Sequence, residues 1–332
     1  ECETCYKNES THGSSTRTWR NAKYFEQHND LQEQSIKKVD LKLGNKCNLK
    51  CKMCFPYASS ELWKEWKQLG WNTKDKDPNS DTSWKYYDGY FKEDYSWPKV
   101  TSNIDKIKKA SEGTKVLHVT GGEPTINPEF FDLLNHLIAT GDSKNITLEV
   151  TTNATKIHPR FFNTVKQFKE LILTVSMDGV DKTYENIKKY SAFVGTLGGN
   201  SKLKFNFVLQ MWNLHNAVDV VKRLTPYAVN ESGAPVRFEE LHDPKFMHWS
   251  ILPEDNIKQV IKQTIDEQRR ENDQLTNWGL IALARMLKTV KSHEAKNKLY
   301  LLQQLKKFTS TQDTHRGIKL ADYIPGLVDF FR

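Results

Sequence analysis

Scarcity narrows the chemistry of this chain before any motif is read. It holds five cysteines in 332 residues and none beyond Cys54. That is too few, and too clustered, for a disulfide framework, and it fits a reducing compartment. No apolar run approaches the roughly 18 residues that mark a membrane span, and no basic-then-apolar leader opens the sequence. The expectation is a cytoplasmic protein with no membrane partner. GxSxG, GxxxxGKS/T and HExxH are missing as well, so serine-hydrolase, P-loop and zincin chemistry find no support. Neither charge sign dominates: 49 Lys and Arg stand against 41 Asp and Glu, a net charge of +8. Such a balance permits an anionic partner without demanding one. The first residue is Glu1 rather than Met, from which an upstream segment is expected.

What is present begins with the thiols. Three of the five lie in Cys47-Asn-Leu-Lys-Cys51-Lys-Met-Cys54, a Cx3Cx2C loop bounded by Gly44, Asn45 and Pro56. A cubane iron–sulfur cluster is normally held by four thiolates, and a structural zinc by four closed ligands. Three cysteines therefore leave a metal position open, where chemistry can happen. The remaining pair, Cys2-Glu-Thr-Cys5, supplies at most half of another metal site.

Hydrophobic spacing supplies the frame. With 37% hydrophobic and 27% charged residues, the chain can bury a large core as one α/β barrel or two smaller domains. Strand-like runs fall at 37–43, 115–120, 146–151, 171–176, 203–210 and 235–241. Helical patterns separate them: 57–69 (Leu62, Trp63, Trp66, Leu69, stopped by Gly70), about 102–111, a helix from Pro128 behind the N-cap Asn127, 159–168, and one from about Asp181. Strand–helix alternation means a parallel sheet, whose binding groups gather at the C-terminal strand ends.

At those ends stand Gly121-Gly122-Glu123-Pro124, Asn153, and Ser176 with Asp178. The two glycines let backbone approach a ligand closely, and the Glu123 carboxylate can accept hydrogen bonds from an ammonium group. Asn153, Ser176 and Asp178 read equally well as turn residues taken singly; as a set they favour a site. His118 reads as an interior histidine, and His215, His242 and His248 lack metal-ligand spacing. Residues 71–99 mix aromatics with both charge signs and read as a surface insertion over the barrel mouth. From Leu252 onward the pattern is helical and is expected to cover an open barrel edge. Lys288, Lys291, Lys296, Lys298, Lys306 and Lys307 read as solvated faces.

Cx3Cx2C at the end of a first strand, with Gly-Gly-Glu-Pro after the second, resembles the signature of the radical S-adenosylmethionine (SAM) enzymes. The resemblance implies an α/β fold, a partial (β/α)6 TIM-type barrel over residues 36–245, followed by a C-terminal helical region at 246–332. It implies that Cys47, Cys51 and Cys54 ligate a 4Fe–4S cluster whose fourth iron is chelated by SAM. One electron then cleaves SAM to methionine and a 5′-deoxyadenosyl radical that abstracts a substrate hydrogen. Gly121, Gly122 and Glu123 are implied to hold the SAM amine, with Asn153, Ser176 and Asp178 toward its ribose and carboxylate. Met53 stands where the family usually has an aromatic residue, which leaves Phe55 as the adenine candidate.

Residues 1–35, with Cys2 and Cys5, resemble the end of a twitch-type segment that carries an auxiliary iron–sulfur cluster in a peptide- or protein-modifying branch. The implied partners are SAM, an electron donor such as flavodoxin or ferredoxin, and a peptide or protein substrate. Two rival readings remain from the residues alone. One is a non-catalytic iron–sulfur or zinc module, and the other is a basic nucleic-acid-binding protein.

Overall fold

The computed structural model describes residues 36–71, 100–178, 183–241, 244–289 and 295–319, together with 6, 9–11, 13–15, 18, 22, 95 and 97. Cys2, Cys5, His242, Lys291 and most of the 71–99 insertion lie outside the described residues. The chain divides into two compact units, 1–37 and 38–332. In the first, residues 9–11 are helical and the Ser15 hydroxyl donates to Glu9.

The second unit is built on six strands: β1 (Lys38–Lys42), β2 (Val116–Thr120), β3 (Thr147–Thr152), β4 (Glu170–Met177), β5 (Lys202–Leu209) and β6 (Val236–Glu240). They form one sheet in sequence order, every neighbouring pair parallel, with β1 and β6 at its two edges. This is the open (β/α)6 arrangement of a partial barrel. Its helices are α1 (Ser60–Gln68), α2 (Thr101–Ser111), α3 (Pro128–Ala139), α4 (Phe161–Val165), α5 (Tyr184–Leu197), α6 (Ala217–Leu224), α7 (Glu254–Arg270), α8 (Gln274–Thr289) and α9 (Ala295–Arg316). Helix α8 lies against the edge strand β6 and against α6 and α7.

The six strands fall within two residues of their expected ends. Two helices differ in ways that have a cause. The first was expected from residue 57 but begins at Ser60, because residues 55–59 are used in the cysteine loop and Ser59 caps the helix by accepting from the Leu62 amide at 3.2 Å. The helix expected over 159–168 is regular only over Phe161–Val165. Helix α3 starts as its residues dictate: the Asn127 side chain accepts from the Glu129 amide at 3.2 Å, and Pro128 occupies the first turn.

Parallel sheets are usually covered on both faces and read as continuous apolar runs. Here the strands largely alternate, with Ile172 and Val208 among the apolar exceptions on the second face. One face carries rows of buried apolar residues aligned across the sheet, such as Leu117, Leu148 and Leu171, then Val119, Val150, Leu173 and Leu203. The other face carries His118 beside Glu149, Thr151 beside Thr174 and Lys204, and Ser176 beside Asn206. His118 is half-buried there, with Nδ1 3.3 Å from Asp40 and Nε2 3.4 Å from Thr151 Oγ1. It is an interior, partnered histidine, as its sequence setting suggested. The helix-covered face is the core; the polar face is the one whose C-terminal end opens into the site.

Candidate cofactor site

The loop after β1 is shaped by short polar side chains reaching backbone. Asn45 Nδ2 donates to the Pro56 carbonyl at 2.8 Å, and Ser59 Oγ donates to the Leu49 carbonyl at 2.6 Å. Ser60 Oγ accepts from the Cys47 amide at 3.2 Å and donates to the Cys47 carbonyl at 3.1 Å. Cys51 and Cys54 bracket a tight turn in which the Cys54 amide donates to the Cys51 carbonyl at 3.0 Å. These bonds satisfy backbone groups that a loop at a strand end would otherwise leave bare. They leave Cys47, Cys51 and Cys54 as free thiols, each half-buried.

All three thiols line one cavity of about 660 Å³ at the C-terminal end of the sheet, together with Lys42, Gly121, Gly122, Asn153, Ser176 and Asp178. That volume lies in the usual range of small-molecule sites, roughly 300–1,000 Å³. Met53 and Tyr57 also face it. Phe55 is not among the lining residues: its ring stacks on Tyr57 with centroids 5.6 Å apart and meets Trp66 edge-on at 6.5 Å, on the core side of the loop.

The Gly-Gly-Glu turn is pressed against the cysteine loop. Gly121 and Gly122 have φ of +88° and +56°, and a methyl group on Gly122 would sit 2.3 Å from the Lys46 carbonyl oxygen. On Gly121 it would sit 2.9 Å from Lys42 Cα. Only glycine meets both the left-handed backbone and the close approach. The next amide, of Glu123, donates to that same Lys46 carbonyl at 2.7 Å.

The Glu123 carboxylate stands behind the cavity wall and is 1% exposed. Its Oε1 accepts from the Thr125 amide (3.1 Å), Thr125 Oγ1 (2.7 Å) and Thr152 Oγ1 (2.8 Å), and its Oε2 accepts from the Asn153 amide (2.6 Å). What Glu123 holds is therefore the end of β3. Asn153 in turn donates through Nδ2 to Asn48 Oδ1 at 3.1 Å, with Cys47 Sγ at 3.8 Å, and accepts through Oδ1 from Thr155. A chain of polar contacts thus runs from Glu123 through Asn153 to the first cysteine. The residue after it, Ala154, is held in the left-handed region at φ +53°.

Burial dominates the electrostatics of the site. Burial pushes the Cys47 thiol above its ordinary range. The Cys51 thiol is raised well above it by burial, then by Asp178 and Cys54. Cys54 is pushed up by burial to about 12. Burial likewise raises Asp178 to about 6, and its Oδ1 has no hydrogen-bond partner among the described residues. The thiols interact with one another as well. Iron, if bound here, would have to draw these thiols out as thiolates. Among the described residues no three His, Cys, Asp or Glu side chains converge on a single ion, whereas a cubane takes its three thiolates on three separate irons. The residues present fit a cluster of that kind.

Residues 41–195 match the family model described as the radical SAM superfamily. This stretch is a radical SAM domain. It contains the three thiols, the Gly-Gly-Glu turn and strands β2, β3 and β4 complete. Three solved structures of SuiB from Streptococcus suis are similar to the chain. SuiB bound to S-adenosylmethionine has 16% identity over 76% of this chain and 49% of that one, with a TM-score of 0.38. SuiB bound to precursor peptide SuiA gives 16%, 76%, 51% and 0.41, and a further SuiB structure gives 14%, 81%, 57% and 0.40. The chain spans about half the length of these structures. No curated protein matches it.

Of the residues that the sequence put forward, the radical SAM domain gathers Cys47, Cys51, Cys54, Gly121, Gly122, Asn153, Ser176 and Asp178 round one cavity. Glu123 and Phe55 support it from behind. Tyr57, Lys42, Asn48 and the Ser59–Ser60 pair also belong to the site and its loop, and no motif marks the first three. The serines did carry a signal: two small hydroxyl residues before an acidic, apolar-periodic helix mark an N-terminus. Among the described residues no helix is long and apolar enough to cross a membrane.

Proposed function

We propose that the chain is a radical SAM enzyme whose cluster is held by Cys47, Cys51 and Cys54. The observation that carries this is the meeting of three desolvated thiols with the Gly121–Gly122 turn on one cavity within the radical SAM domain. When bound, the cluster supplies the electron that cleaves SAM to methionine and a 5′-deoxyadenosyl radical. The chain's own residues do the rest. Gly121 and Gly122 offer backbone to the SAM amine, and Glu123 fixes that turn and Asn153 in register. Ser176 and Asp178 face the ribose and carboxylate, and Tyr57 and Met53 offer the adenine an apolar wall.

The finer reading extends to the N-terminal segment. Cys2 and Cys5, outside the described residues, are proposed as half of an auxiliary iron–sulfur site in a twitch-like segment. The substrate is proposed to be a peptide or protein, the electron donor a flavodoxin or ferredoxin, and the compartment the cytoplasm.

Anaerobic reconstitution with iron and sulfide, reduction, and measurement of 5′-deoxyadenosine from SAM test the reading. Wild type should release 5′-deoxyadenosine, and Cys51→Ala should lose both iron and that product. Release undiminished in Cys51→Ala would sink the ligand assignment. A wild-type protein that takes up iron yet leaves SAM intact would instead be a non-catalytic module.

A further inference from the structure

The last described helix, α9, lies beyond the radical SAM domain yet reaches its cysteine loop. Three kinds of contact bring it there. On α1, Glu65 is 1% exposed. It accepts a fork from Arg316 of α9, Nε at 2.9 Å and Nη2 at 2.7 Å, and a further bond from Gln312 at 2.8 Å. Glu65 also pairs with Lys50 of the cysteine loop at 3.2 Å. Lys52 pairs with Asp313 of α9, their side chains 12% and 9% exposed, and its Nζ lies 5.5 Å over the Trp212 ring. Finally Phe308 of α9 stacks on Trp71, just past α1, at 5.1 Å, and meets Phe246, just past β6, at 5.3 Å.

Cys51 thus sits between two lysines, both anchored to α9: Lys52 directly, and Lys50 through Glu65. The aromatic contacts fix where α9 runs, between the chain that leaves β1 and the chain that leaves β6, the two edges of the open sheet. A buried ion pair gives little net stability over an apolar substitute but is costly to break on one side, and its geometry is specific. A bidentate Arg–carboxylate fork is the most directional of such contacts.

We infer that α9 is a clamp that positions Cys51, acting through Lys52–Asp313 and through Lys50–Glu65–Arg316. Asp313 and Arg316 are positioning residues for the cluster loop, although Asp313 lies 261 residues after Lys52 and Arg316 251 residues after Glu65. The role assigned to Cys51 rests on the function proposed above, but the clamp itself can be read without a cluster.

The test uses the full chain with no metal added. In Asp313→Asn, hydrogen exchange of amides 47–54 should speed up about tenfold, a change of about 1.4 kcal/mol, while amides of β2 and β3 keep their wild-type rates. Asp313→Glu should restore slow exchange. Unchanged exchange at 47–54, or a rise spread evenly over the sheet, would overturn the clamp. If Asp313→Asn does not fold, Arg316→Lys takes its place, since it keeps the charge and loses the fork; the same two outcomes decide.

A second readout follows iron loading. The amount of SAM needed to alter the electron paramagnetic resonance spectrum of the reduced cluster should rise about tenfold in Asp313→Asn, the same constant applied to binding. A wild-type protein that forms no cluster defeats the proposed function and leaves the exchange result standing. A cluster with unaltered SAM dependence in the variant defeats the clamp alone.

Discussion

Gly122 shows at the scale of one residue what the site demands of the chain. Its φ of +56° and the 2.3 Å approach of the Lys46 carbonyl to any added Cβ exclude every other amino acid without movement of the cysteine loop. A left-handed residue with a Cβ costs about 1–2 kcal/mol, and the backbone clash adds to it. Gly122→Ala should therefore lose about 3 kcal/mol in chemical denaturation, whereas Gly113→Ala, with the same backbone sign and open space around it, should lose no more than about 2 kcal/mol, the backbone cost alone. Equal losses at the two positions would show that the turn and the loop do not touch. Glu123→Gln gives a second test. If the amide keeps its oxygen toward Thr125 and Thr152, its nitrogen faces the Asn153 amide, donor against donor. A buried donor left unpaired costs about 1–3 kcal/mol, to be read as a drop in stability of that size. Cysteines and paired glycines were legible because few residue types can do what they do. The direction of Glu123 and the choice of Tyr57 over Phe55 were not, since side-chain direction depends on bonds made by Thr152 and on packing against Trp66, which neighbouring sequence does not display.

Among the elements, α1 and α9 are bound through one carboxylate with a pH signature. Burial works against the charge on Glu65, but the Arg316 fork and Lys50 outweigh it and hold the carboxyl below the ordinary 4.5 of a glutamate. A carboxyl depressed in the folded state contributes stability that is fully present above its unfolded value and is lost as pH falls through its folded value. Wild type should then exceed Glu65→Gln in stability by about 3 kcal/mol near neutral pH, the lower end for breaking one side of a buried pair. The gap should stay constant down to about pH 5 and shrink below it. Unfolding curves of both proteins from pH 7 to pH 3 check this; parallel curves throughout would mean that Glu65 carries no such linkage. The strands and most helices could be placed from spacing alone, because period and caps are local. The docking of α9 could not: no repeat or motif links Glu65 to a residue 251 positions on, and Arg316 looks in sequence like one more solvated cation.

At the largest scale, the second unit is organised by a sheet with one dry face and one wetter one. Alternation along the strands puts leucines, valines and phenylalanines under the helices, and mostly polar residues (lysines, threonines, glutamates and Asn206, with Ile172 and Val208 among them) on the opposite side. That second face leads up to Ser176, Asp178 and the thiols, so a polar floor beneath the cavity comes from the same periodicity that builds the core. Adjacent residues of β3 separate the two contributions. Leu148 is fully buried, while Glu149 forms a 3.0 Å pair with Lys38, the side chains 26% and 54% exposed. Leu148→Ala removes buried methyl groups and leaves a cavity, so it should cost about 3 kcal/mol. Glu149→Ala removes a screened ion pair and should cost less than about 1 kcal/mol. Equilibrium denaturation of the two variants measures both. If Glu149→Ala proved as damaging as its neighbour, the second face would be packed rather than wet. The site would then have to be supported by a second core, and the room it offers a polar guest would vanish with it.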